Sequence, residues 1–213
     1  MKLSKALLIV LGVLLLDQAS KIYIKLNYPL TNSYDNAIVD WGKFKLLFYE
    51  NAGAAWGFEI PGDYGKIILT VFRLFAICGI GYWLWTSIKN NSHKVLVICI
   101  SLIFAGALGN ILDSIFYGQL FSSSVHGVAE FLPEGGGYAP WFYGEVVDML
   151  YFPLFDGVWP DWFPIWGGES FSFFNAIFNV ADSAITIAVI LLILFSKKAF
   201  PEKKEKSRPE PAV

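Results

Sequence analysis

The ionisable side chains that fall inside apolar blocks are the first clue to chemistry in this 213-residue chain. Asp17 and Lys21 are spaced i,i+4 and share a helical face. Arg73 stands in a second apolar block, and Asn110 and Asp113 stand in a third. Asn179, Asp182, Ser183 and Thr186 share one face of a fourth. An ionisable group in hydrocarbon costs a few kcal/mol at least, so each is a functional candidate. The plainer alternative for Asp17, Lys21, Arg73 and Asp113 is a set of ion pairs. Metal-assisted hydrolysis would need clustered His, Cys or carboxylate ligands. His93 and His126 are isolated in sequence and form no His-x-x-x-His pair. Serine catalysis needs a base beside its nucleophile. The chain has no Gly-x-Ser-x-Gly elbow, and the neighbours Ser20 and Lys21 point roughly 100° apart on a helix. Carboxylates remain, and no metal or organic cofactor is expected.

Two carboxyl groups can hydrolyse an amide without metal or covalent intermediate. One, ionised, takes a proton from water; the other, protonated, polarises the carbonyl. Like charges held close split their pKa values, so the pair shares a proton near neutral pH. Asp148, at the end of Gly144-Glu145-Val146-Val147-Asp148, and Asp182 suit these roles. Spacing alone leaves open whether they meet.

The elements that must position these groups are membrane spans. The chain is 55% apolar, 17% aromatic and 16% charged, against about 25% charged in globular domains. The apolar residues concentrate in four blocks, 5–26, 67–88, 95–115 and 176–195, each long enough to cross ~30 Å of hydrocarbon. This excludes a soluble enzyme and a disordered scaffold. A net charge of -2 without a basic patch gives no reason to expect nucleic acid. Cys78 and Cys99 lie inside apolar blocks and read as buried packing residues. Lys2 and Lys5 precede the first block, Lys89 and Lys94 flank the turn between the second and third, and a Lys-rich tail follows the last. The stretch 116–175 has no Lys or Arg. The positive-inside rule therefore puts both termini in the cytoplasm and the loops 27–66 and 116–175 outside. The first block resembles a signal peptide but ends at Asp17-Gln18 without small cleavage-site residues, so an uncleaved span is expected.

On this topology the polar groups fall in the outer half of the bilayer. Asp17 lies ~18 Å from the cytoplasmic end, Asp113 near the outer end, and Arg73 and Asp182 about two turns in from outside. A transporter or channel would line a path through the full thickness, whereas this pattern describes a site opening at the outer surface. Six of the eight tryptophans occupy the outer loops, which suits the headgroup zone. Alternation around Trp41-Gly42-Lys43 suggests a short hairpin with Phe44, Leu46 and Phe48 on its apolar face. The expected architecture is an all-α membrane protein of four transmembrane helices with a small outer β hairpin or sheet and an extended second outer loop. Residues 1–200 form one domain, and 201–213 a disordered tail.

Several short segments carry a resemblance. Asp17-x-x-x-Lys21 and Asn51-Ala52-Gly53-Ala54-Ala55-Trp56-Gly57 resemble the first two motifs of bacterial lipoprotein signal peptidase (signal peptidase II). Gly106-Ala107-Leu108-Gly109-Asn110-Ile111-Leu112-Asp113 resembles the third. Gly144-Glu145-Val146-Val147-Asp148 and Phe178-Asn179-Val180-Ala181-Asp182-Ser183 resemble the fourth and fifth. Each is short, but five in order are specific. The resemblance implies an inner-membrane aspartic endopeptidase whose substrates are diacylglyceryl-modified prolipoproteins, cut just before the lipidated cysteine. Its partners would be those substrates and membrane lipids. The catalytic aspartates correspond to Asp148 and Asp182. Asp17, Lys21, Asn51, Gly53, Asn110, Asp113, Asn179 and Ala181 fall at positions that shape or support the site.

Two departures stand out. The family's third motif usually continues Asp-Arg, but Asp113 is followed here by Ser114, and Arg73 is a candidate replacement. Thirty-four residues lie between Asp113 and Asp148, more than is usual, so 118–142 reads either as a lid or lipid-contacting flap or as an inert insertion. A presenilin-type intramembrane protease is disfavoured, because neither its Gly-x-Gly-Asp motif nor its Tyr-Asp pair occurs within a span.

Overall fold

The computed structural model describes residues 1–31, 33–34, 36–52 and 64–201. Among the described residues, three helical runs are long and apolar enough to cross a membrane: α1 (Leu3–Asn27), α2 (Gly65–Lys89) and the run Lys94–Leu120. That last run comprises α3 (Lys94–Leu112), a π-helical turn (Asp113–Tyr117) and the short α4 (Gly118–Leu120). A fourth apolar helix, α5 (Val180–Leu194), has 15 residues and covers about 22 Å. After Phe195, α6 (Ser196–Ala199) adds one turn. α3 is central and packs against α1, α2 and α5.

The fourth span is shorter than the expected 176–195, and the reason is local. Ile177–Phe178 is drawn into a sheet as β6, pairing with β3, and Asn179 then caps the helix. Asp182 therefore sits in the first turn of α5, not two turns in.

The sheet is antiparallel, in the order β1 (Val39–Asp40), β2 (Lys45–Asn51), β3 (Val146–Tyr151), β6 (Ile177–Phe178). β1 and β2 form the expected hairpin, with Val39 opposite Leu46. The strict alternation does not hold. A register shift between Leu46 and Tyr49 turns Leu47 inward along with Phe48, and both are buried. A bulge bends the strand at the point where it would otherwise keep alternating.

The stretch 116–175, expected as an extended outer loop, is folded. It supplies β3 and a separate hairpin of β4 (Phe155–Val158) and β5 (Ser170–Phe173). Trp159 stacks on Phe163 at 4.6 Å between ring centroids. The tip residues Trp162 and Ile165 are exposed. Residues 118–142, expected as a lid or lipid-contacting flap or as an inert insertion, pack in part against the sheet. Phe121 and Ala129 join Ile24, Phe48, Val147 and Met149 in one buried cluster, so this segment covers the back of the sheet. Cys99 is buried as expected, but Cys78 is exposed on the outer surface of α2; its position turns away from the helix contacts. Gly53 and the rest of its motif after Ala52 lie outside the described residues, as does the tail from 202.

Small residues let the helices meet where the site is built. A Cβ on Gly109 would stand 2.6 Å from Asp17 Oδ2. One on Gly106 would collide with the Ala181 carbonyl oxygen. Close approach of α3 to α1 and α5 needs glycine at both places.

Candidate active site

The site assembles around the N-terminus of α5. Asn179 is the N-cap, and its side-chain Oδ1 accepts the Asp182 backbone N–H at 3.0 Å. Asp182 Oδ2 reciprocally accepts the Asn179 N–H at 3.3 Å. This capping box satisfies two helix-end donors at once and fixes the Asp182 carboxylate at the start of the helix. The other Asp182 oxygen, Oδ1, accepts from Asn110 Nδ2 of α3 at 2.8 Å.

The amide nitrogen of Asn179 points the other way, toward the sheet. It donates to Asp148 Oδ1 at 2.8 Å, with the Asn110 Oδ1 at 3.0 Å and the Val147 carbonyl at 3.3 Å also in reach. Asp148 lies in β3 opposite Tyr49 of β2, so β2 residues on the same face can reach it diagonally. Asn51 does so, donating from Nδ2 to Asp148 Oδ2 at 3.2 Å. Burial pushes the Asp148 carboxyl up to about 7, and the nearby Asp182 charge adds to the effect. The Asn51 amide, Lys21 and the Asn179 amide act in the opposite direction.

Beneath this layer is a buried ionic triad. Lys21 Nζ lies 2.9 Å from Asp17 Oδ2 and 2.7 Å from Asp113 Oδ2, and all three side chains are fully buried. Lys21 also donates to Asn110 Oδ1 at 2.9 Å. The two carboxylates reach outward in turn. Asp17 Oδ1 accepts the Ala181 N–H at 2.9 Å, and Asp113 Oδ2 accepts the Val147 N–H at 3.4 Å. The triad thus joins α1, the end of α3, the first turn of α5 and strand β3. Ala181 contributes its backbone and its small size, being fully buried beside Gly106 and Gly109.

Sequence reasoning missed Gln18. Its Nε2 donates to Asp113 Oδ1 at 2.9 Å and Asp17 Oδ2 at 3.1 Å, while its Oε1 accepts from the Tyr117 hydroxyl at 3.2 Å. The available signal was its polarity beside Asp17 within an apolar block.

Arg73 does not join the triad. It lines an open cleft of about 710 Å³ together with Asn51, Asn110, Asp148 and Asp182, and the Asp182 charge acts on its guanidinium. The cleft is otherwise largely apolar, with Ile77, Phe178, Ile185 and Ile187 among its walls. Ser114, which stands where the resemblance expects arginine, is buried and donates its hydroxyl to the Asn110 carbonyl at 3.2 Å. Among the described residues, no three His, Cys, Asp or Glu side chains converge as a bound metal would require.

Two carboxyl groups are thus tied to one asparagine and open on one apolar cleft. A family model described as Signal peptidase (SPase) II matches residues 9–198. A lipoprotein signal peptidase of Porphyromonas gingivalis is 44% identical over 208 residues, covering 92% of this chain and 88% of that protein. A lipoprotein signal peptidase of Amoebophilus asiaticus is 34% identical over 200 residues, covering 93% of this chain and 80% of that one. A solved bacterial membrane enzyme shares the fold with a TM-score of 0.61 at 24% identity, over 97% of this chain and 96% of its own. A second such structure gives a TM-score of 0.59 at 26% identity, over 93% of this chain and 96% of its own. The chain belongs to the signal peptidase II family, the lipoprotein signal peptidases, and is a multi-pass membrane protease.

Proposed function

We propose that this protein is an aspartic endopeptidase of the bacterial inner membrane that cuts diacylglyceryl-modified prolipoproteins just before the lipidated cysteine. The observation that carries the reading is the Asn179 side chain, hydrogen-bonded at one end to Asp148 and at the other to the Asp182 backbone. The two carboxyl groups at the cleft floor are Asp148 and Asp182, and their surroundings differ. Asp148 is buried and pushed up to about 7, so it keeps a proton to much higher pH than an ordinary carboxyl does. Asp182 accepts two hydrogen bonds at the N-terminus of α5.

The chemistry follows from that asymmetry. Asp182 takes a proton from water as the hydroxyl attacks the scissile carbonyl carbon, and Asp148 gives its proton to the carbonyl oxygen. In the resulting diol, Asp182 returns a proton to the amide nitrogen while Asp148 recovers one from a hydroxyl. The C–N bond then breaks, and both groups end in their starting states. Asn110 and Asn179 hold the acids through both steps. Arg73 offers a positive charge at the cleft wall.

Selectivity is supported by where the cleft opens. The positive-inside pattern puts this end of the bundle at the periplasmic face. The substrate's two acyl chains can then stay in the bilayer while its peptide enters between α2 and α5. Each buried methylene contributes about 0.8 kcal/mol to membrane retention, which confines the substrate to the plane of the site. The exposed Trp162 and Ile165 of the β4–β5 hairpin suit the headgroup layer beside it.

The test is cleavage of a lipidated and an unlipidated precursor by purified wild type, Asp148→Asn and Asp182→Asn. Both variants should be silent and fold normally, and the unlipidated precursor should be cut far more slowly by wild type. More than a few per cent of wild-type turnover in either variant would exclude the dyad. Equal turnover of both precursors would exclude the lipid contribution.

A further inference from the structure

The back of the sheet holds a second buried ionic cluster that the hydrolytic chemistry does not use. Lys25, in the last turn of α1, is fully buried and forms an ion pair with Glu50 of β2. Lys25 Nζ donates to Ser124 Oγ at 2.9 Å, and the Ser124 hydroxyl lies 3.3 Å from Glu50 Oε1. Three rings surround the ammonium: Tyr138 at 4.9 Å, Phe121 at 5.5 Å and Phe48 at 5.8 Å from their centroids. Ser124, Phe121 and Tyr138 all come from the extra 118–142 segment. Tyr138 also reaches the residue just before β3, because its hydroxyl accepts the Glu145 N–H at 2.7 Å.

The position of this cluster matters more than its strength. A buried ion pair is weak evidence for stability, since desolvation offsets much of its attraction, but breaking one leaves a charge stranded and displaces what it holds. Glu50 immediately precedes Asn51 in β2. Side chains alternate along a strand, so Glu50 points back toward Lys25 while Asn51 points forward to Asp148. This is the far end of β2: past the register shift between Leu46 and Tyr49, the ladder to β3 runs over Tyr49, Glu50 and Asn51 and ends there.

We infer that Lys25, Glu50, Ser124 and Tyr138 form a positioning device, supplied largely by the 118–142 segment, that holds Asn51 against Asp148 from behind the sheet. The inference rests on the proposed catalytic role of Asp148. A loose Asn51 weakens one hydrogen bond to the Asp148 carboxylate. That bond favours the ionised form, so its loss moves the Asp148 limb of the pH–rate profile to higher pH, whichever carboxyl holds the shared proton. The other groups acting on Asp148, namely Asp182 on α5, Lys21 on α1 and Asn179, stay in place, as do Arg73 of α2 at the cleft wall and Asp113 behind Val147.

The experiment measures kcat and KM against pH for full-length enzyme on a lipidated precursor. The variants are Glu50→Leu, Glu50→Gln, Ser124→Ala, Asn51→Leu and the Glu50→Leu/Asn51→Leu double. Glu50→Leu should lower kcat about tenfold with KM within about twofold and shift the limb to higher pH, as Asn51→Leu does. Glu50→Gln keeps an acceptor for Lys25 and should largely restore both. The double variant should be no worse than Asn51→Leu alone, because Glu50 acts through Asn51. Should Glu50→Leu not fold, Ser124→Ala removes only a hydroxyl and should give a smaller shift of the same sign. Limbs of Glu50→Leu or Ser124→Ala that superimpose on wild type, or additive losses in the double variant, would overturn the inference. An active Asp148→Asn enzyme would overturn the dyad and this inference with it, whereas an inactive one beside unshifted limbs overturns this inference alone.

Discussion

Asn179 donates its side-chain amide to Asp148 Oδ1 at 2.8 Å although 31 residues separate them in sequence. The same residue caps α5 through its other side-chain atom, at 3.0 Å from the Asp182 N–H. One side chain therefore couples strand β3 to the first turn of the helix that carries Asp182.

That coupling can be divided by substitution. Serine is a good N-cap but cannot span the gap to Asp148. Asn179→Ser should keep thermal stability within about 1 kcal/mol of wild type while kcat falls at least about tenfold. Asn179→Leu should lose both, because the cap is gone as well. Paired melting curves and cleavage rates check this, and an Asn179→Ser enzyme with wild-type kcat would contradict it.

Asp148 has a pH signature in stability as well as in rate. Its carboxyl is held up to about 7 in the fold, first by burial and then by the Asp182 charge, but titrates near 3.9 in an unfolded chain. Its neutral form is therefore the one the fold favours. The wild-type protein loses stability as pH rises from about 4 to about 7, and the loss is complete above that range. Asp148→Asn removes this cost. The variant should match wild type near pH 4 and exceed it above pH 7 by about 4 kcal/mol at most, while remaining inactive. Melting temperatures across that range decide it, and a variant that is less stable at pH 8 would count against the buried neutral carboxyl.

The pH–rate profile of wild type should be bell-shaped, with two apparent pKa values that belong to the carboxyl pair. A single sigmoid between pH 4 and 9 would mean that only one titrating group governs the rate.

Lys21 neutralises two fully buried carboxylates at once. Lys21→Met leaves Asp17 and Asp113 facing one another without a cation, and breaking a buried ionic group in this way costs about 3–5 kcal/mol. The variant should yield much less folded protein and a melting temperature well below wild type. If Lys21→Met melts like wild type and retains activity, the triad does not hold the bundle together.

Arg73 stands at the cleft wall and acts on Asp182 without belonging to the triad. Arg73→Leu should therefore lower kcat about tenfold or more with little change in melting temperature, while Arg73→Lys recovers part of the loss. Full activity in Arg73→Leu would remove it from the site.

Much of this protein is legible in its residues one segment at a time. Runs of about 20 apolar residues need no tertiary knowledge to be read as spans, because the bilayer thickness sets their length. α1, α2 and the start of α3 fall within one or two residues of the expected limits. The five short motifs were equally visible, since each is local in sequence. The segments that were misread are those where a distant partner decides the outcome. Residues 176–178 are apolar enough for a span, yet Ile177–Phe178 pairs with β3 instead, which moves the helix start to Val180. Leu47 alternates as an outward residue until the register shift against β3 turns it inward.

The sequence by itself determined the membrane class, the set of polar residues in apolar surroundings and the aspartates worth testing, because hydropathy and motif are properties of contiguous residues. Only the tertiary structure decided which of them meet. Lys21 joins Asp113 as well as Asp17, Asn179 reaches Asp148, and Glu50 faces Lys25 behind the sheet. Those contacts depend on helix approach and strand register across 25 to 92 residues of chain. A one-residue slip in register would turn every side chain of a strand to its other face. Pairing of that kind is fixed by the packing of the whole molecule around the sheet and α3, and no local pattern encodes it.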